Sequence, residues 1–238
     1  MQILSDGGYA ISERIDIDGA GSSHFVFARG WLLEILDLER GEYCFFSDGD
    51  EVRPRSRHFG IYYPPFTITR PFVNGVGGTV RGVGSTEPLP ELPSTAFMFD
   101  TDFAEDFVTT SQAVDVLDRS ANRRSIEINS GTSPVTRKAK RLIDENYLVF
   151  PSISRIATRL SITHEHLSRQ FKRDLGITPS GYLHKLRVAD ATFRLSMGEP
   201  IVDISQDVGY NDLSRFYKQF RKATHTSPAA CRKQVSSR

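Results

Sequence analysis

Ile153-Ser154-Arg155-Ile156-Ala157-Thr158-Arg159-Leu160, then after a short turn Leu167-Ser168-Arg169-Gln170-Phe171-Lys172-Arg173, is the stretch that decides how this chain folds, because its pattern returns. The second copy reads Ile201-Val202-Asp203-Ile204-Ser205-Gln206-Asp207-Val208, Gly209-Tyr210-Asn211, then Phe216-Tyr217-Lys218-Gln219-Phe220-Arg221-Lys222. Ile153 and Ile201 lie 48 positions apart, and Phe171 and Phe220 lie 49 apart, so the copies match apart from one extra residue in the second turn. A repeat at fixed spacing means that one supersecondary unit is used twice. Ile153, Ile156, Ala157 and Leu160 fall at i, i+3, i+4 and i+7, the apolar stripe of a short helix. Leu167 with Phe171, and Phe216 with Phe220, give the i, i+4 stripe of a second helix. Ser152 is placed to cap the first helix, and Thr163 or Ser161 the second. In the second copy Asn211 precedes the second helix, and Gly209 supplies a permissive turn backbone. Two short helices across a brief turn, the second basic on its outer face, form the helix-turn-helix pattern. A plain helical hairpin is the bland alternative; two copies in register, both basic outside, favour DNA binding.

Thr178-Pro179 opens a longer helix that runs to about Met197 and stops at Gly198. At 1.5 Å per residue it spans roughly 28 Å, close to the ~34 Å turn of B-DNA. A spacer of that size suits two recognition helices in successive major grooves. With Leu167 and Phe171 turned inward, and Phe216 and Phe220 likewise, the outer faces follow. Residues near the start of such helices meet base edges, and later ones meet phosphates. Glu165, His166, Arg169, Ser214, Arg215 and Lys218 are therefore the candidate base readers. Lys172, Arg173, Arg221 and Lys222 are the candidate phosphate contacts, each with solvated surface charge as its alternative reading. Ser133-Pro134 opens a further helix upstream, with Val135, Ala139, Leu142 and Ile143 inward and Arg137, Lys140 and Arg141 outward. His164 and His166, at i and i+2, point to different helix faces and do not form a metal pair.

The run Ile156-Ala157, Leu167-Ser168-Arg169, Phe171-Lys172-Arg173, Leu175-Gly176-Ile177-Thr178-Pro179, followed by Ile204-Ser205, Gly209-Tyr210, Phe216, Phe220-Arg221-Lys222 and Ser227-Pro228, resembles the AraC/XylS family. The resemblance covers Pro134 to Gln234. One departure is His225, where family members usually carry glycine after the second recognition helix. The resemblance implies a bacterial transcription regulator that binds double-stranded DNA through two helix-turn-helix units in one chain, with RNA polymerase as a further partner if it activates. It also implies a cupin-like barrel in the N-terminal half that senses a small molecule or pairs two subunits.

The net charge of +1 hides an asymmetry. Residues 1–133 carry a net of −9 and residues 134–238 a net of +10. A basic half is what phosphate binding requires, while an acidic half is repelled by the duplex and belongs off it. Cys44 and Cys231 form no C-x-x-C pair, which speaks against a disulfide framework or zinc site. The N-terminus has no apolar run with a cationic flank, and no stretch approaches membrane-spanning length, so a cytoplasmic chain without a membrane partner is expected.

In the first half, Phe25–Phe27, Trp31–Leu38, Tyr43–Phe46, Phe59–Tyr63 and Phe66–Thr69 read as short strands, with Arg40-Gly41 and Asp48-Gly49 as turns between them. A small antiparallel barrel or sandwich is expected. Trp31, Tyr43, Phe45, Phe59, Tyr62 and Phe66 read either as an apolar ligand pocket or as ordinary core. His24 and His58, without a His-x-His pairing, read as surface or core histidines rather than metal ligands. The glycine-rich run Asn74 to Gly84 lacks the Gly-Lys-Ser/Thr of a phosphate loop and reads as a loop or a glycine-interrupted strand. Glu87 to Pro93 reads as an extended connector. Phe99, Phe103, Phe107, Val114 and Leu117 follow helical spacing, as a dimer face or as a helix closing the barrel. Asn129 to Ser133 is a polar linker.

The reading is thus α+β and multidomain. Residues 1–130 form a β-rich sensor or dimerisation domain, a cupin-like barrel or sandwich plus helices. Residues 134–238 form an all-α domain with two helix-turn-helix units joined by a long helix. Neither a cofactor, a metal nor catalysis is called for. A non-specific architectural DNA binder, and a small-molecule-binding or enzymatic barrel with an accessory DNA domain, are the alternatives.

Overall fold

The computed structural model describes residues 2–22, 24–28, 30–47, 50–128, 132–149 and 152–236, the side chains of 233–236 excepted. The Asp48-Gly49 turn and Asn129-Ser130-Gly131 of the expected linker lie outside these residues. The chain divides into two compact units, Met1–Ser130 and Gly131–Arg238.

The first unit runs β1 (Gln2–Ile3), β2 (Tyr9–Ser22), β3 (Phe25–Val26), β4 (Trp31–Ser47), β5 (Asp50–Val52), β6 (His58–Tyr63), β7 (Ile68–Thr69), β8 (Pro71–Ser85), β9 (Phe97–Asp100), helix α1 (Gln112–Arg119) and β10 (Ala121–Ser125). One antiparallel sheet takes the order β1-β2-β8-β4-β6-β9-β10, with β5 on β4, and β3 pairs β7 in a second, two-stranded sheet. β2 escapes the strand reading of the sequence because most of its side chains are exposed and leave no dense apolar run.

Two expectations change here, and a third, the choice between loop and glycine-interrupted strand for Asn74 to Gly84, is decided for the strand. Trp31–Leu38 and Tyr43–Phe46 are one strand, since Arg40-Gly41 makes a bulge and not a turn. The register of β4 on β8 shifts between Leu38 and Arg40 and again between Arg40 and Glu42. Gly41 takes φ +87° there, and a Cβ on it would come within 2.4 Å of the Gly75 carbonyl oxygen. A glycine in the left-handed region is how a bulge bends a strand without ending it. The glycine-rich run is a strand: β8 threads between β2 and β4 along its whole length. Finally, Phe99 lies in β9 and Phe103 and Phe107 in irregular chain, so only Val114 and Leu117 of the expected stripe are helical. Phe99, Phe103, Phe107 and Leu117 pack into the unit's own core with Trp31, Leu33, Ile35 and Tyr62, which withdraws them as a subunit contact.

The second unit is all helical: α2 (Pro134–Asn146), α3 (Ile153–Arg159), α4 (His164–Leu175), α5 (Pro179–Ser196), α6 (Ile201–Asp207), α7 (Leu213–Thr224) and α8 (Pro228–Ser236). Ser133 caps α2, its hydroxyl accepting from Thr136 N at 3.2 Å, and Thr178 caps α5, accepting from Gly181 N at 3.1 Å. α5, about 27 Å long at its 18 residues, is the central element. It buries side chains on more than one side, among them Tyr182, Leu186, Arg187, Asp190 and Leu195. Two tyrosine–aspartate bonds cross between α5 and the end of α2. Tyr182 Oη donates to Asp144 Oδ1 at 2.6 Å, and Tyr147 Oη donates to Asp190 Oδ2 at 2.7 Å.

Candidate nucleic-acid interface

The two copies are built alike. In the first, α3 buries Ile153, Ile156 and Ala157. The turn passes through Ser161 at φ +55°. Thr163 caps α4, its hydroxyl accepting from His166 N at 3.1 Å. α4 buries Leu167, Phe171 and Leu175 and ends at Gly176, φ +69°. In the second copy α6 buries Ile204 and Ser205, and the turn passes through Gly209 at φ +85°. Asp212, and not Asn211, caps α7, accepting from Ser214 N at 3.0 Å and Arg215 N at 3.2 Å. α7 buries Phe216 and Phe220 and ends at His225, φ +58°. Ser152 makes no side-chain cap bond. Each copy therefore needs two left-handed residues, and they are filled crosswise: Ser161 and Gly176 in one, Gly209 and His225 in the other. Glycine adopts that conformation without cost, and histidine is among the side chains that tolerate it best.

Burial of these phenylalanines orients the rest. Phe171, Phe216 and Phe220 are each 0% exposed, worth roughly 3–5 kcal/mol apiece against alanine. Glu165, His166, Arg169, Lys172 and Arg173 on α4 are all exposed, as are Ser214, Arg215, Lys218, Arg221 and Lys222 on α7. All ten sequence-predicted DNA residues thus stand on the outer faces of the second helix of each copy, with the charged ones concentrated toward basic. Arg173 also lies 3.5 Å from Asp174. His164 and His166 are both exposed, and among the described residues no group of three or more His, Cys, Asp or Glu side chains is placed to hold a metal ion.

Two buried polar groups lock the reading helices in place, and neither was found from the sequence. Asp174 accepts from Thr136 Oγ1 at 2.6 Å and from Ser133 N at 2.9 Å, and so ties the end of α4 to the start of α2. Burial works to raise its pKa, but these bonds and those from Gln170 prevail and hold it well below the usual carboxylate range. Arg187 is 5% exposed in the middle of α5. Its Nε donates to the Tyr147 carbonyl at 2.8 Å, its Nη1 to the Gly209 carbonyl at 2.9 Å, and its guanidinium lies 5.4 Å from the Tyr210 ring centre. The residue spans from the approach to the first copy to the turn of the second. Its position on the stripe of Leu183, Leu186 and Ala191 is the signal that an arginine there is buried.

In the first unit, the six aromatics read as a pocket or as core do not converge. Trp31 and Tyr62 lie on the sheet face covered by α1. Tyr43 packs on Phe45 and Phe59, with ring centroids 5.5 and 5.8 Å away, and Phe59 pairs in register with Leu36 on the other face. Phe66 is half-buried in a tight turn at φ +60°. His58 is half-buried and bonded through Nδ1 to Asp37.

The chain was compared with known proteins. A helix-turn-helix domain family matches residues 156–234. The transcriptional activator RhaS of Pectobacterium carotovorum subsp. carotovorum is 35% identical over 97 residues, covering 40% of this chain and 35% of that protein. The xylose operon regulatory protein of Escherichia coli K12 is 29% identical over 111 residues, covering 46% and 28%. The matched segment spans about a third of the length of these curated relatives. Across nearly the whole chain, 96% of each, the fold is similar to that of ToxT from Vibrio cholerae, solved with an unsaturated fatty acid bound, at 11% identity and a TM-score of 0.54. No helix among the described residues is long and apolar enough to cross a membrane. With two helix-turn-helix copies in register, a family match over both and relatives that are transcription regulators, the C-terminal unit is a helix-turn-helix domain of the AraC/XylS type.

Proposed function

We propose that this chain is a sequence-specific transcription regulator of the AraC/XylS type, acting in the cytoplasm and without catalysis. α4 and α7 enter successive major grooves of one duplex, residues 134–238 bind DNA, and residues 1–130 hold a small-molecule effector or pair two copies. RNA polymerase is the further partner where the chain activates. The observation that carries this reading is the division of α4 and α7 into a buried apolar stripe and an exposed, mainly cationic face. The similarity of the whole fold to ToxT supports the assignment of an effector to the first unit.

Footprinting of the purified chain across its own genome is the direct test: protection confined to a few promoters supports the reading, and even coverage rejects it. Two substitutions separate base reading from charge. Arg169→Ala costs roughly 1–3 kcal/mol of binding and relaxes preference at one base position. Equal loss on every sequence removes Arg169 from the base readers. Lys172→Ala weakens binding evenly, and the slope of log K against log salt becomes shallower by about one unit. An unchanged slope removes Lys172 from the phosphate contacts.

A further inference from the structure

Glu34 is an acid to which no described residue offers a hydrogen bond or a positive charge. It lies in β4 between the fully buried Leu33 and Ile35. The register pairs it with Ile61 of β6 and Gly82 of β8, which puts its side chain on the sheet face of Phe59 and Tyr63, opposite the face that α1 covers. Glycines on β8 make this face shallow there. A Cβ on Gly84 would meet the Tyr9 hydroxyl at 2.5 Å, and one on Gly82 the Ile11 side chain at 2.9 Å, so residues of β2 lie across the strand toward Glu34. Tyr43 packs on Phe59 and Tyr63 on Phe27, with centroids 5.8 and 6.1 Å apart. Glu34 and Tyr43 are both half-buried, so each keeps some contact with solvent.

Among the described residues no group donates a hydrogen bond or a positive charge to the Glu34 carboxyl. The ionisable groups that face it are Glu13 and Tyr9 on β2, Tyr43 on β4 and Tyr63 on β6. Burial, with repulsion from Glu13 added, pushes its pKa up to about 7. A carboxylate held this way is stabilised by a cation from outside, and aromatic faces attract cations as well. The geometry points to a binding site for a small organic cation, an amine or quaternary ammonium with an apolar body, in which Glu34 supplies the counter-charge and Tyr9, Tyr43, Tyr63 and Phe27 the aromatic surroundings. This gives the effector site of the preceding section its ligand class and rests on that reading. An anionic ligand meets the charge of Glu34, and a neutral one leaves it unpaired.

The test uses the full chain, titrated at pH 8 with benzyltrimethylammonium chloride and with phenethylamine hydrochloride, and read by calorimetry and thermal shift. Sodium oleate and benzyl alcohol serve as anionic and neutral comparators. The cations are expected to bind and raise the melting temperature. Glu34→Gln, nearly isosteric, weakens that binding at least about tenfold, each variant being read against its own ligand-free transition. Wild-type affinity is level above pH 7 and falls about tenfold per unit below it, since only the ionised carboxylate pairs with the cation and protonation competes. The three tyrosines, raised further above their usual range by burial, stay neutral throughout. The pH profile needs no substitution, so it stands even if the variant folds poorly. Oleate or benzyl alcohol binding as well as the cations, a cation response unchanged in Glu34→Gln, a flat pH profile, or no response to either cation each overturns the assignment. A promoter footprint measured on the same samples keeps the two readings apart. A specific footprint without cation binding rejects the ligand class alone, and loss of the specific footprint rejects the regulator.

Discussion

Arg187→Met lowers the stability of the C-terminal unit by roughly 2–5 kcal/mol. Methionine keeps the apolar stem of the side chain and fills most of its volume, so little of the loss comes from packing. What disappears includes two donors among the described residues. The Tyr147 carbonyl loses its bond from Nε at 2.8 Å, and the Gly209 carbonyl its bond from Nη1 at 2.9 Å. Each carbonyl left unpaired in a buried position costs about 1–3 kcal/mol. The Tyr210 ring also loses the cation stacked on it. Burial lowers the pKa of Arg187 against opposition from Tyr210, so desolvation of the guanidinium is a cost the native state already bears and the variant is spared. That relief sets the lower bound of the range. Urea unfolding followed by circular dichroism at helical wavelengths measures the effect. The single tryptophan, Trp31, belongs to the first unit, and its fluorescence transition should not move. A helical transition left in place shows that Arg187 fixes nothing.

Gly209→Ala has the second largest effect, about 2–4 kcal/mol. The turn of the second copy places residue 209 at φ +85°, which costs an L side chain about 1 kcal/mol or more. The remainder is steric. A Cβ would stand 2.5 Å from the Leu148 carbonyl oxygen and 2.6 Å from Arg187 Nη2. Neither can retreat freely, since the first is backbone and the second belongs to a side chain held by two hydrogen bonds. Gly198→Ala is the control. Its φ is also +85°, but a Cβ there meets nothing within 4 Å, so it loses only the backbone contribution. Equal losses at the two positions, measured by the same unfolding transition, show that the Arg187 contact does not constrain the turn.

The helical half could be read from the sequence because its signals act locally. Apolar spacing fixes which face of a short helix is inward, and this leaves the exposed residues by elimination. Thr163, Ser133 and Thr178 announce caps next to the helices they serve. Capping chemistry fails to resolve neighbours: Asn211 and Asp212 are both good caps, and only the geometry selects Asp212. The β-rich half depends on pairings between distant residues, and spacing alone misleads there. Phe99, Phe103 and Phe107 stand four apart as on a helix, yet a strand buries the first and irregular chain the other two equally well. Arg40-Gly41 has the composition of a turn and forms a bulge, because whether a strand continues depends on its partner, here β8. Tyr62 parts from Phe59 because β6 alternates its faces, and Trp31 parts from Tyr43 and Phe45 because the bulge at Arg40-Gly41 breaks that alternation along β4, neither of which composition records. Arg187 and Glu34 were legible only as anomalies, each a charge within an apolar stripe.

The two bonds Tyr147–Asp190 and Tyr182–Asp144 bear on how the duplicated half comes apart. Both join α2, which precedes the first copy, to the helix that separates the copies, and Arg187 on that same helix bonds the Gly209 carbonyl in the turn of the second copy, so the helix serves both. The two copies are therefore not expected to fold as autonomous modules. A single cooperative melting transition is the expected outcome for the pair, with a mutation in either second helix felt by the other through the stability they share.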